Sequence, residues 1–338
     1  MSDFSQEADW LRRVDGIRQH TRRADGGQRA PNKPLLLLYA LALLQNDHTS
    51  VIVYNDTYHK KMENLLSAFG RPQDAQQPQL AFRYMTSNQE INRLWQVDTN
   101  KGADIEAFQS GTEYSGFKLK KLEAVGRLPA SDEAMLLERP DLIRVTARRL
   151  LDKNWPPSLH ADICDRLGLT LDLSPQAIME DMQLSAELAA LTSCEDSSDD
   201  QQDSRQRRDP AFRKLVLRAY EYKCAICKWD GRMGTGGTVA LEAAHLRWHS
   251  SGGPDEPSNG LALCSIHHKL LDFGVLGLTV ERRVLVSQDF VGGETTKRVT
   301  ALSGKPLEDT QLPEHTPDED HILWHEREVF KGPARPFV

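Results

Sequence analysis

The hydrophobic pattern is dominated by one run of ten apolar residues, Leu35–Leu44 (LLLLYALALL). It is apolar on every side of a helix, which predicts a helix at the centre of a core rather than on a surface. Asn32 can cap that helix, and Pro34 is tolerated in its first turn. Upstream, Asp9 to His20 has the spacing of a short amphipathic helix. Val51 to Tyr58 and Leu80 to Met85 read as strands or short connecting pieces, and Leu94 to Val97 as another. Asp132 to Leu151 and Ser158 to Leu167 read as helices, so the N-terminal region is mainly helical and ends near Leu173. Ser174 to Leu191 predicts one more helix, acting as a connector. Thr192 to Gln206 is polar and acidic, the composition of a flexible linker. Pro210 to Tyr222 predicts a helix leading into CAIC, and from Thr238 the pattern is strand, loop, helix. Further apolar pieces lie at Val284 to Ser287 and Ile322 to Phe330, and no internal repeat is present. The expected organisation is α+β, with residues 1–173 as one domain, 174–206 as a helical and acidic linker, and 207–338 as a second domain.

Length and charge refine this picture. At 338 residues the chain suits two domains. A membrane span needs about twenty apolar residues, so the ten-residue run excludes that reading of it. The N-terminus MSDFSQEADW lacks a basic-then-apolar signal layout, which points to the cytoplasm. The formal net charge of −7 argues at first against nucleic acid, but Glu195, Asp196, Asp199, Asp200 and Asp203 alone supply −5 of it. Arg12 to Lys33 carries seven bases and two acids, and Arg205 to Arg218 six bases and one acid. Local sign governs a DNA contact surface more than the total does.

The chemistry concentrates in CAICKWDGRMGTGGTVALEAAHLRWHSSGGPDEPSNGLALCSIHHKLLD. Cys224, Cys227, Cys264 and His267 form a Cys-x-x-Cys pair followed by Cys-x-x-His. Two such knuckles suit tetrahedral zinc, structural because protein fills all four positions. The other two cysteines, Cys164 and Cys194, read as bystander thiols. A second set is spread over the same segment: His245 at the end of VALEAAH, Asn259 in the loop after GGPDEPS, and His268 at the start of HKLLD. Through AAHLRWHSSGGPDEPSNGLALCSIHHKLLD this region, roughly Arg213 to Gly277, resembles the HNH endonucleases, whose domain is the ββα-metal fold. The resemblance implies that His245 is the general base, that His268 is a ligand of a catalytic magnesium or manganese ion, and that Asn259 orients the loop and His245. Many HNH enzymes place an Asp ligand just before the base. Here that position is Ala244, and Glu242, two residues back on the same strand face, could take its place. His249 reads as a DNA-contact or structural residue.

In the N-terminal half, RRADGGQRAPNKPLLLLYALALL brings a basic, Gly-containing loop to the head of the buried helix. With LAFRYMTSNQEINRLWQV, SGTEYSGF and LLDKNWPPSLHADICDRLGL in order behind it, residues 8 to 170 resemble the sulfur-binding domain of phosphorothioate-dependent type IV restriction enzymes. The expected partner is double-stranded, phosphorothioated DNA. Sulfur is larger than oxygen and a poorer hydrogen-bond acceptor, so a shallow apolar dent should prefer it. Ala30 and Pro31 could line that dent, with Phe82 or Tyr84 nearby. Arg29, Lys33 and Arg83 could balance the remaining phosphate charge. Asn32 could bond to a base edge or the backbone, or only cap its helix. Two rival readings are an HNH enzyme whose first domain reads another mark or a plain sequence, and a DNA-binding protein with a dead nuclease. One HNH site cuts one strand, so a double-strand break calls for a homodimer or two sequential nicks, and the apolar stretch HILWHEREVF could serve such a dimer.

Overall fold

The computed structural model describes residues 3–17, 29, 31–72, 77–84, 94–99, 116–172, 174–192, 209–234 and 236–337. The chain divides into two units, one taking in most of residues 1–201 and the other residues 202–338. The basic loop before Arg29, Ala30, the stretch after Tyr84, most of SGTEYSGF, Cys194 and the acidic segment lie outside the described residues, as do the side chains of Arg83 and Tyr84.

The first unit runs α1 (Asp3–Asp15), α2 (Asn32–Asp47), β1 (Ile52–Val53), α3 (Asp56–Phe69), α4 (Pro78–Tyr84), β2 (Gln96–Thr99), α5 (Gly116–Lys121), β3 (Ala124–Arg127), α6 (Ala130–Glu138), α7 (Pro140–Asn154), α8 (Pro157–Leu167) and α9 (Pro175–Thr192). The apolar run is α2, with Leu35 to Leu38, Ala40 and Leu41 wholly buried. It touches α3, α4, α6, α7 and α8, which makes it the axis of this unit. Asn32 is its first helical residue rather than its cap. Pro31 stands at the cap position, where its carbonyl accepts from the Leu35 N–H at 2.9 Å.

Several elements depart from the sequence expectation. The first helix starts six residues and ends five residues earlier, running from Asp3 to Asp15. After the two residues of β1, Asn55 caps a full helix, its side chain accepting from the Tyr58 N–H. Leu80 to Tyr84 belong to α4 instead of a strand. The helix expected over 132–151 is two helices, because Pro140 has no N–H to continue the ladder and starts α7 afresh. The segment expected to connect domains, α9, packs along α1 and α7. There Arg148 meets Asp181 at 2.9 Å, both buried, and Arg149 reaches Asp15 and Ser185.

A small antiparallel sheet, in the order β1-β3-β2, covers one side of this unit. Its centre holds Gly126, where a Cβ would come within 2.7 Å of both Trp95 and Phe82. Those rings meet edge to face, and Phe82 also abuts Tyr54 and Tyr58.

The second unit begins with α10 (Pro210–Ala219), capped by the Asp209 side chain accepting from the Ala211 N–H. Strands β4 (Leu241–His245) and β5 (Gly260–Cys264) pair antiparallel, from Leu241 opposite Cys264 to His245 opposite Gly260. Helices α10 and α11 (Ser265–Asp272) both pack on this ribbon. Gly260 is needed opposite His245, since a Cβ there would strike Val216 of α10 at 2.3 Å. The β6–β7 hairpin (Leu276–Leu278 and Val284–Val286) and α12 (Glu319–Glu328), which packs on β6, complete the core. The fold is α+β, and among the described residues no helix is long and apolar enough to cross a membrane.

Candidate active site

Two turns close side by side at one end of the ribbon. In the first, the Cys224 N–H donates to the Trp229 carbonyl and the Lys228 N–H to the Cys224 carbonyl, folding Cys224 and Cys227 into a knuckle. The Ala225 N–H ties that knuckle to β5 through the Ala262 carbonyl at 2.7 Å. In the second, Cys264 ends β5 and His267 lies in the first turn of α11. The four ligand atoms lie within 4.8 Å of one another. His267 Nδ1 is 3.5 Å from Cys224 Sγ and 3.4 Å from Cys264 Sγ, and Cys227 Sγ is 3.9 Å from Cys264 Sγ. Tetrahedral zinc, with bonds of about 2.3 Å to sulfur and 2.0–2.1 Å to nitrogen, sets these separations at about 3.5 Å and 3.8 Å. The donor set and its spacing therefore fit zinc. Cys164 belongs to the first unit, buried in α8, where burial pushes its thiol up to about 11.

The middle and far end of β4 carry two further groups. Glu242 Oε2 lies 2.6 Å from His268 Nδ1, and Glu242 Oε1 accepts from the Ser265 hydroxyl at 2.6 Å. On its other side His268 Nε2 faces the buried Asp272 carboxylate at 3.3 Å. The His268 hydrogen bond is the main reason the Glu242 carboxyl falls to about 2, against the opposing effect of burial. Burial works against charge on His268, yet Asp272 and Glu242 together raise it to about 10.

His245 is held from different directions. Its ring stacks on Phe212 of α10, with centroids 4.0 Å apart and planes 16° from parallel. Its Nε2 is 2.7 Å from Asp255 Oδ1, while the Asp209 N–H donates to Asp255 Oδ2 at 2.6 Å. His249 lies at the same carboxylate, 3.9 Å away. Burial opposes ionisation of Asp255, but the Asp209 amide and His245 bring its carboxyl below the usual range.

Asn259 is fully buried at the end of a short 3-10 turn. Its Oδ1 accepts from the Arg247 N–H at 2.8 Å, and its Nδ2 donates to the Arg247 and Pro254 carbonyls. It knots the loop between β4 and β5, while the partner on the His245 ring is Asp255. Sequence reasoning passed over Asp255, Asp272 and Phe212. Asp272 carried a readable signal, lying four residues after His268 on one helix face. The partnership of Asp255 with His245, across a ten-residue loop, carried none.

In the first unit, Arg29 is only 5% exposed and donates to the Phe69 carbonyl at 3.1 Å, so its guanidinium braces the fold from inside. Phe82 is likewise enclosed by aromatic rings and does not line a surface dent. Pro31 is buried, and Asn32 and Lys33 are partly exposed at the head of α2.

Residues 7–172 match the family model of the ScoMcrA-like DNA sulfur-binding domain, and residues 224–279 match that of the HNH endonucleases. Among solved structures, the chain is similar to a modification-dependent TagI restriction endonuclease, at 26% identity over 37% of this chain and 40% of that one, with a TM-score of 0.30. It is also similar to the sulfur-binding domain of SprMcrA complexed with phosphorothioated DNA, at 18% identity over 50% and 98% of the two chains, TM-score 0.39. A third is the type IV phosphorothioation-dependent restriction endonuclease ScoMcrA, at 14% identity over 77% and 94%, TM-score 0.33. At TM-scores this low the superpositions add nothing to the assignment, which rests on the two family matches. No curated protein matches the chain.

Proposed function

We propose that this chain, which joins a ScoMcrA-like DNA sulfur-binding domain to an HNH endonuclease domain, is a modification-dependent restriction endonuclease that binds phosphorothioated duplex DNA and hydrolyses its backbone. The observation that carries this reading is the presence of both modules in one chain, with the HNH module retaining His245, Asn259 and His268. A dead nuclease would have no need of a carboxylate against each imidazole.

His245 acts as the general base. The Asp255 carboxylate accepts from Nε2–H, which leaves the Nδ1 lone pair as the proton acceptor from water. Glu242 and His268 would hold the catalytic magnesium or manganese ion. Their carboxylate and imidazole donors are neighbours, joined by a 2.6 Å hydrogen bond whose proton such an ion would replace. When bound, that ion supplies charge neutralisation at the phosphate and the leaving oxygen. Asp272 accepts from His268 Nε2–H and so presents Nδ1 as the ligand atom, a partnership common around metal-bound imidazoles. Glu242 thus stands where many HNH enzymes use the Asp that Ala244 replaces. Zinc at Cys224, Cys227, Cys264 and His267 serves the fold, because all four positions are filled by protein.

The test is cleavage of paired duplexes, identical except for the phosphorothioate, by the full chain with magnesium or manganese. The modified duplex should be cut and the plain one spared. His245→Ala should abolish cutting yet keep the fold and DNA binding, since a base acts only in the chemical step. Equal cutting of both duplexes would instead favour a domain that reads another mark or a plain sequence.

A further inference from the structure

The Asp255 carboxylate has its two oxygens committed to two different parts of the nuclease unit. Oδ1 meets His245 Nε2 at 2.7 Å. Oδ2 accepts from the main-chain N–H of Asp209 at 2.6 Å. Asp209 is the first described residue after the segment that joins the units, and its side chain caps α10. One turn later the same helix supplies Phe212, whose ring stacks on His245. The imidazole is therefore gripped on its face by Phe212 and at its edge by Asp255, and both grips are anchored at the start of α10. Asp255 itself is barely exposed, its side chain only 9% accessible.

A solvated loop carboxylate needs no such arrangement. A base whose proton acceptor must be one particular nitrogen does, because a carboxylate on the far nitrogen selects the tautomer, aims the ring and steadies the imidazolium that forms. We infer that Asp255 is a positioning residue for His245, and that the Asp209 amide, at the point where the chain enters the nuclease domain, is the fixed post from which Asp255 works. This rests on the reading of His245 as the general base. It adds that the junction with the recognition domain is part of the machinery that aims the base.

The experiment measures single-turnover cleavage of a phosphorothioated duplex by the full chain and its variants, with zinc content, melting temperature and DNA affinity recorded for each. Asp255→Asn should lower the rate constant roughly a hundred- to ten-thousandfold, the range seen when a base loses its orienting carboxylate. DNA affinity, zinc content and melting temperature should stay near wild type. The acid limb of the pH–rate profile should also move to lower pH, because an imidazole without a neighbouring anion gives up its proton more readily. His249, the other titratable group at this carboxylate, is controlled by His249→Gln, which should leave that limb in place. A merely structural Asp255 would lower the melting temperature and scale the profile without moving it.

The anchor is tested by comparing Asp209→Ala with Asp209→Pro. Both lose the helix cap, but only proline loses the N–H, and the φ of −69° at this position suits it. The proline variant should be about tenfold or more slower than the alanine variant. Wild-type rates in Asp255→Asn, or equal rates in the two Asp209 variants, would overturn the inference while leaving wild-type cleavage intact. Failure of wild type to cut any duplex would instead overturn the proposed function.

Discussion

His268 sits between two carboxylates, Glu242 on Nδ1 and Asp272 on Nε2. Before metal binds, that environment holds the imidazole as a cation up to about pH 10, while Glu242, at about 2, is ionised at any working pH. A divalent ion that takes Nδ1 must displace a proton. Titration calorimetry in two buffers of different ionisation enthalpy should therefore show about one proton released per ion bound. Apparent affinity should rise roughly tenfold per pH unit and level off near pH 10. Glu242→Gln should remove most of this metal response. In the metal-free protein the sign for stability is the reverse. A folded-state value raised from the usual 6.5 stabilises the fold fully below that pH, and the contribution fades as pH rises through about 10. Residues of this kind were legible when their chemistry was carried by type and spacing, as with His245, His268 and the four knuckle positions. Asp255 and Phe212 were not, because their value depends on a loop and a helix folding back to one ring.

Helices marked by an apolar run or a clear apolar period were equally legible: α2, α8 and α9 all fall close to where the pattern puts them. The miss at α3 has a plain cause. Its sequence DTYHKKMENLLSAF is polar, yet Tyr58, Met62, Leu65, Leu66 and Phe69 recur every three or four residues and all are buried. The period was present but diluted by Lys, Glu and Asn on the outer face. At the β4–β5 ribbon the elements depend on the knuckles, since one turn is tied to β5 by Ala225 and the other joins β5 to α11. Purified, reduced protein should carry about one zinc per chain. Cys224→Ala, or a strong chelator, should release it and unfold the second unit, because zinc binding to such a site is folding energy. Metal analysis with circular dichroism reads both results, and zinc-free protein with an intact melting transition would count against the site.

On the proposed function, discrimination between modified and plain DNA by the whole molecule has to come from a small contact. Burying one sulfur-sized group is worth about 1–2 kcal/mol, and avoiding desolvation of an oxygen adds a similar amount. The full chain with His245→Ala, which binds without cutting, should then favour a phosphorothioated duplex by roughly ten- to a thousandfold. Pro31→Asp, with its melting temperature checked because Pro31 is buried, should erase that preference while leaving salt-sensitive background binding, as measured by fluorescence anisotropy at several salt concentrations. A wild-type-sized preference in that variant would move the sulfur contact away from the head of α2.

The buried Arg148–Asp181 pair sets where this protein can be divided. A recognition cassette ending near Leu173, where the composition changes, would strip α9 from α1 and α7, take the Asp181 carboxylate from Arg148 and expose the apolar surface that Leu188 packs on. A cassette carried through Thr192 keeps the pair. Grafting this reader onto a different effector, or an evolutionary shuffle that did the same, would have to cut in the acidic stretch beyond that helix. The transplantable part is thus longer than the recognition sequence alone.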